Sequence, residues 1–354
     1  MLGRSDISSV TFKLSCDEDH TRESYAEILN HELHNTDGRC TASGPNDPRL
    51  GTMDNGVRCS SCGQGKNLCL GHCGHLNLRV AVLQTIAIPE VRKWLRVICL
   101  SCGTCMIDRD KYIKLAPSKR FAAASTIDIA GKPCPNPACQ SIHPKIVKCL
   151  EDYFTYWADS PGVVDKKRVG PVVHGTRLFP DMIRSIFGKI TDETVFDLGH
   201  TLNSHPRKLT LRVIAIPPNT IRPNVRSFGG SGSSNHDSTN LIQHIVKRNN
   251  QLPEQLPDGV TTYQFPPIPV DGDFVRSYLN LQQLHFDLNL GGGTTNATQG
   301  NSGRRGLVVG ARPIRSFLRN LPSKTGRIRM NLLGRRVFSI CRTTICGNVR
   351  LKID

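Results

Sequence analysis

The chain has 354 residues and a net charge of +17, with 38% hydrophobic and 21% charged residues. That length predicts two or three domains, and that balance excludes a wholly disordered chain. No apolar run approaches the ~18 residues of a membrane span, and no run of signal-peptide length follows Met1, so the expected address is intracellular with no membrane partner.

In chain order, residues 10–14 read as a strand and residues 21–33 as a capped helix, followed by a polar, turn-rich stretch to about residue 50. Residues 76–82 alternate like a strand, and residues 86–94 and 118–125 fit short helices. Residues 151–200 are mostly helical in pattern, with apolar residues at helical spacing over 179–187 and again over 191–198. A strand over 209–216 is stopped by Pro217 and Pro218. The Gly/Ser-rich residues 228–238 predict a flexible loop. Ser238 or Asp237 then caps a helix through about Asn249, and a second helix covers about 274–288. Residues 291–306 are again Gly-rich and read as a mobile loop, and the remainder is basic. No fixed-period repeat is present.

Charge is uneven. Residues 301–354 hold 13 Lys/Arg and one acidic residue, a net of +12, which leaves +5 for the first 300. A Gly-rich basic segment of this kind predicts a nucleic-acid partner rather than a membrane surface.

Ten of the 14 cysteines lie between Cys59 and Cys149. In a chain without an export signal, paired cysteines read as metal ligands before disulfides. The first cluster is Cys59-x2-Cys62-x6-Cys69-x2-His72, two tight pairs that suit tetrahedral zinc. His75 competes with His72, and Cys73 is a spare thiol. The second cluster pairs Cys99-x2-Cys102 with Cys134 and Cys139, and Cys105 and His143 are alternative ligands. Four filled positions leave no open site for water, so both ions are expected to be structural rather than catalytic.

Other residues invite a functional reading and do not sustain it. Asp271-Gly-Asp273 stands between prolines and a helix start, and reads as a turn and N-cap rather than a metal site. The glycine runs do not match a P-loop, and no Ser-His-Asp or Cys-His arrangement can be assigned.

Four ordered landmarks resemble the largest subunit of multisubunit DNA-directed RNA polymerase. They are Asp47-Pro-Arg-Leu-Gly51 with the first cysteine cluster through His75, then Ile216-Pro-Pro-Asn-Thr-Ile-Arg-Pro223, then Lys247-Arg-Asn-Asn250, then Gly326-Arg-Ile-Arg329-Met-Asn-Leu-Leu-Gly334-Arg-Arg336-Val with Arg342-Thr-Thr-Ile345. The stretches Trp94 to Gly103, Glu151-Asp-Tyr-Phe-Thr, Gly310-Ala-Arg-Pro and Thr344-Ile-Cys-Gly-Asn348 resemble the branch found in large cytoplasmic DNA viruses. Two departures stand out. Phe338-Ser-Ile-Cys-Arg342 replaces the usual Asp-Phe-Ser-Ala-Arg, and the family's Asn-Ala-Asp-Phe-Asp-Gly-Asp is absent from these 354 residues.

The resemblance implies an α+β fold: an irregular, multi-part polymerase clamp with two zinc-stabilised loop regions, short helices and small antiparallel sheets. It implies a zinc-bearing clamp over 1–225, a lid-like loop over 226–238, clamp helices over 239–291, a rudder-like loop over 292–316, and a basic switch over 317–354. The clamp would hold the DNA template and the DNA–RNA hybrid. Lys324, Arg327, Arg329, Arg335, Arg336 and Arg342 would meet template phosphates, which carry no base identity. The cofactors implied are two structural zinc ions, with Mg²⁺ held in the complete polymerase through residues outside this chain. The chain alone is expected to be inactive. Implied partners are the second-largest and other polymerase subunits and the remainder of the largest subunit, in the host cytoplasm or virion rather than the nucleus. The alternative is a free-standing, zinc-dependent nucleic-acid-binding transcription regulator built on the same clamp.

Overall fold

A long antiparallel strand pair organises the molecule. β1 (Gly74–Leu83) runs against β5 (Thr210–Ile216), with Gly74 opposite Ile216 and Asn77 opposite Val213; after a break in register, Val82 faces Leu211. The computed structural model describes residues 13–148, 155–159, 175–226, 233–264, 267–291, 316–322, 324, 326–335, 337 and 339–344.

The break in register leaves backbone groups of β1 without a strand partner, and buried backbone polar groups need one. Side chains supply it. Asn249 Oδ1 accepts from the Arg79 N–H at 2.8 Å, and Asp181 Oδ2 accepts from the Ala81 N–H at 2.8 Å. Gln282 Nε2 donates to the Ala81 carbonyl at 2.6 Å, and the Tyr278 hydroxyl lies 3.1 Å from that carbonyl and from Asp181 Oδ2. These residues stand on three different helices, so the bulge is where the helices are tied to the sheet.

The helices follow their apolar spacing. After α1 (Asp17–Arg22), α2 (Ile88–Leu95) has proline in its first turn and buries Val91, Trp94 and Leu95. α3 is Pro117–Thr126, α4 is Pro180–Gly188 and α5 is Asp192–Asp197, each beginning just after or at a residue that suits a helix start. Trp94, Phe121 and His200 stack with ring centroids 4.6–5.2 Å apart in the core that joins them. A small antiparallel sheet of β2 (Lys145–Lys148), β3 (Tyr156–Asp159) and β4 (Thr176–Leu178) closes that side. β6 (Val225–Arg226) pairs with β7 (Ser233–Ser234). α6 (Asp237–Gln251) and α8 (Gly272–Asn289), with the short α7 (Asp258–Thr261) between them, pack on β1 and form a second core with Leu241, Ile245, Tyr278 and Leu281.

Mixed short helices and small antiparallel sheets make this α+β, as expected. Three local expectations need correction. Residues 21–33 are not a helix: α1 ends at Arg22, and the chain then runs extended with Ala26 and Ile28 buried and Tyr25 and Leu29 exposed. That period of two arises because Tyr25 and Ile28 donate their N–H groups to Cys73 O and His75 O at the edge of β1. The stretch 151–200 contains β3 and β4 as well as helices. The N-cap of α6 is His236, whose Nδ1 accepts from the Ser238 N–H at 3.2 Å. Asp271, by contrast, caps α8 as anticipated, accepting from the Phe274 N–H at 3.3 Å. The predicted strand at 10–14 falls mostly outside the described residues; Lys13 and Leu14 belong to no regular element. Residues 227–232 of the lid-like stretch and 292–315 of the rudder-like stretch also lie outside them.

Candidate metal centres and basic segment

Cys59, Cys62, Cys69 and His72 present four ligand atoms within 4.8 Å of one another, and Cys69 Sγ lies 3.8 Å from His72 Nε2. Two turns bring them together. The Cys59 carbonyl accepts from the Gly63 N–H at 2.8 Å, and the Gly65 carbonyl accepts from the Cys69 N–H at 2.9 Å. Gly63 has φ +68°, the left-handed conformation that glycine adopts at least cost. Gly71 needs glycine twice over: its φ is +88°, and a Cβ there would lie 2.6 Å from Pro218 Cβ and closer still to Thr220 Oγ1. His75 and Cys73 stay outside the group; His75 Nδ1 is 2.7 Å from Ser24 Oγ.

This knuckle interlocks with two of the motifs singled out in the sequence. The Leu50 carbonyl accepts from the His72 N–H at 3.1 Å. Asn219 Nδ2 reaches Asp47 O at 3.1 Å and Gly51 O at 3.0 Å, and Thr220 Oγ1 donates to Leu70 O at 3.3 Å. Beneath them Arg222, 2% exposed, donates to Pro45 O, Pro217 O, Thr239 Oγ1 and Asn219 Oδ1 at 2.6–3.1 Å. Burial pulls its guanidinium down to about 10. Arg222 is thus a structural cation, bonded to neutral acceptors rather than offered to a ligand.

Cys99, Cys102, Cys134 and Cys139 form the second group, again within 4.8 Å of one another. Cys99 Sγ lies 3.8 Å from Cys139 Sγ, and Cys102 Sγ lies 3.6 Å from Cys134 Sγ. Cys99 and Cys102 sit on one turn, held by a bridge of Ile98 with Cys105, and Cys134 and Cys139 on another, held by a bridge of Pro133 with Ile142. The alternatives have other partners. Cys105 Sγ accepts from the Tyr112 hydroxyl at 3.9 Å, and His143 Nε2 contacts Leu95 O and Ile98 O at 3.1 Å each. Two hydroxyls escaped the sequence reading. Ser141 Oγ lies 3.2 Å from Cys99 Sγ and 3.1 Å from Cys139 Sγ, and Thr104 Oγ1 lies 3.3 Å from Cys102 Sγ. Their signal was adjacency: each stands two residues beyond a ligand cysteine.

Thiolate-rich, four-donor groups with tetrahedral reach fit a structural metal ion. Both groups could hold one, and neither leaves a position free for substrate.

The basic segment is built differently. Phe317 anchors it, donating its N–H to Leu288 O at 3.1 Å and packing against the α6–α8 core. Arg327–Leu332 then form one turn of π-helix, in which the Leu333 N–H reaches Ile328 O at 2.9 Å. Lys324, Arg327, Arg329, Arg335 and Arg342 are all exposed. Among the described residues none of the five makes an ion pair, and the one side-chain hydrogen bond there is from Arg327 Nη1 to Asn331 Oδ1 at 3.5 Å. Arg336 lies outside the described residues. Apolar Leu332, Leu333 and Ile340 are exposed beside these cations, each more than 70%.

Comparison with known proteins bears on this arrangement. The family model described as "RNA polymerase Rpb1, domain 1" matches residues 4–332. The chain is 43% identical to the DNA-directed RNA polymerase RPB1 homolog of African swine fever virus (isolate Pig/Kenya/KEN-50/1950), over 99% of this chain and 23% of the relative. It is 28% identical to the DNA-directed RNA polymerase subunit Rpo1N of Sulfolobus acidocaldarius, over 98% of this chain and 38% of the relative, and 28% identical to the Rpo1N of Methanococcus vannielii, over 99% and 37%. The chain therefore spans about a quarter of the viral relatives' length.

Proposed function

The chain belongs to the RNA polymerase Rpb1 domain 1 family, and on that premise we propose that it is the N-terminal clamp portion of the largest subunit of DNA-directed RNA polymerase, holding template DNA and the DNA–RNA hybrid during transcription. The observation that carries this reading is the row of exposed cations, Lys324, Arg327, Arg329, Arg335 and Arg342, with no acidic partner among the described residues, inside the stretch that resembles the polymerase switch. A polymerase must hold any sequence, and guanidinium contacts to phosphate oxygens do that without reading bases. Arg336 would join them.

In this reading residues 1–225 and 239–291 are clamp, 226–238 and 292–316 its lid-like and rudder-like loops, and 317–354 the switch. Both metal groups hold zinc, chosen by their thiolate and imidazole donors. The ions stiffen loop-rich segments that have little core of their own. Nucleotidyl transfer belongs to the whole polymerase, with Mg²⁺ held by carboxylates elsewhere in it. The remainder of the largest subunit and the second-largest subunit are the protein partners, and their packing would cover Leu332, Leu333 and Ile340. Transcription in a host cytoplasm or virion follows if the source is a large DNA virus. No helix among the described residues is long and apolar enough to cross a membrane.

The test is photocrosslinking. Template DNA carrying reactive backbone groups upstream of the RNA 3′ end, bound to the assembled polymerase, should label peptides within 324–342. Labelling confined to other parts of the chain would overturn the assignment.

A further inference from the structure

Among the described residues, hydroxyl groups approach the sulfurs of the second cysteine cluster and not those of the first. The charge of the two sites explains why that matters. Zinc on three thiolates and one imidazole carries one net negative charge, and zinc on four thiolates carries two. A metal-bound thiolate is an acceptor only, so a hydroxyl beside it must donate. Such charge-assisted bonds are roughly twice as strong as neutral ones.

We infer that Ser141, supported by Thr104, is a positioning residue that retains the second metal ion by donating hydrogen bonds to its thiolates; the inference rests on the zinc reading above. Ser141 Oγ lies between two sulfurs from different turns, Cys99 at 3.2 Å and Cys139 at 3.1 Å, and with both held as thiolates its single proton is shared between them in a three-centre bond. It therefore ties the two halves of the site together as well as offsetting their charge. Its own backbone is fixed, because the Ser141 carbonyl accepts from the Cys134 N–H at 2.9 Å. Thr104 Oγ1 lies 3.3 Å from Cys102 Sγ and accepts from it while the thiol is protonated; once the sulfur is a metal-bound thiolate the hydroxyl proton must turn toward it, and the Thr104 carbonyl accepts from the Cys99 N–H at 2.8 Å. In each case one residue supports the turn through its backbone and the thiolate through its side chain. A cleft of about 450 Å³ borders this edge, with Cys99, Ser141 and Tyr263 in its walls.

Outer-shell partners of this kind are typically worth about 10- to 100-fold in metal affinity. The experiment titrates the zinc-loaded full chain with a chromophoric chelator, then maps by mass spectrometry which cysteines iodoacetamide has alkylated, sulfur displacing iodide. Ser141→Ala should release one of two zinc ions at about 10- to 100-fold less chelator than the parent, with the alkylation gained over the parent confined to Cys99, Cys102, Cys134 and Cys139, since cysteines outside the metal groups such as the exposed Cys341 react in both chains. Ser141→Thr, which keeps the hydroxyl, should behave like the parent, and Thr104→Val should show a smaller effect at the same site. Release at the parent's chelator concentration in Ser141→Ala would overturn the inference. So would equal loss in Ser141→Thr, or simultaneous loss of both ions. A parent chain that holds no zinc would instead remove the metal reading itself.

Discussion

Asn249 takes the place of a strand opposite β1. Its Oδ1 accepts from the Arg79 N–H at 2.8 Å and its Nδ2 donates to the Asn77 carbonyl at 3.0 Å, one amide satisfying two backbone groups where the β1–β5 register breaks. The side chain is buried, and the residues it joins are 170 and 172 positions away. Asn249→Leu should therefore leave a donor and an acceptor unpaired in the interior and cost about 2–5 kcal/mol of stability. Urea unfolding followed by circular dichroism measures this. Asn250→Ala, which removes an exposed bond to Leu29 O, should cost less than about 1 kcal/mol and serves as the comparison.

Metal content gives a second prediction. Elemental analysis of the purified chain should find two zinc ions, and Cys69→Ser should leave one. Gly71→Ala should weaken the same site without touching a ligand, because its φ of +88° and the approach of Pro218 and Thr220 leave no room for a methyl group. A Gly71→Ala chain that holds both ions as tightly as the parent would show that the interlock with residues 217–223 does not shape the site.

His285 sets an acid limit on stability. It is buried on α8, and its Nε2 accepts from Asn289 Nδ2 at 3.1 Å, so the folded state holds it neutral. Burial, helped by the nearby His20, pushes it down from 6.5 to about 4. The unfolded chain then binds a proton between pH 6.5 and 4 that the folded chain does not. Stability from this group is whole above pH 6.5 and falls as the pH drops toward 4, by about 3 kcal/mol in all. Acid also strips metal, so the reading is the difference between parent and His285→Gln over a pH series of melts. The variant should lose less stability than the parent across that window.

Local signals in the sequence carried the grouping of the cysteines and the start of α8, because each rests on neighbours. The Cys-x2-Cys spacing is its own geometry, and Asp271 caps the helix that begins one residue later. Residues 21–33 were misread for the opposite reason. Their backbone partners, Cys73 and His75, lie some fifty residues on, and no local period announces that pairing. The bulge in β1 was equally illegible, since Asp181, Asn249, Tyr278 and Gln282 look like ordinary helix residues until the fold brings them to Arg79 and Ala81. Ser141 and Thr104 were passed over because a hydroxyl near a cysteine matters only once the sulfur's charge is placed beside it.

Phosphate contact by the switch segment is the claim on which the functional reading turns. DNA binding by the reassembled polymerase, measured over a salt series with Arg329→Ala and Arg342→Ala, tests it directly. Each lost phosphate contact should lower the slope of log K against log salt by about one, and by the same amount on unrelated DNA sequences. Unchanged slopes for both variants, with the clamp still folded and both zinc ions in place, would contradict it.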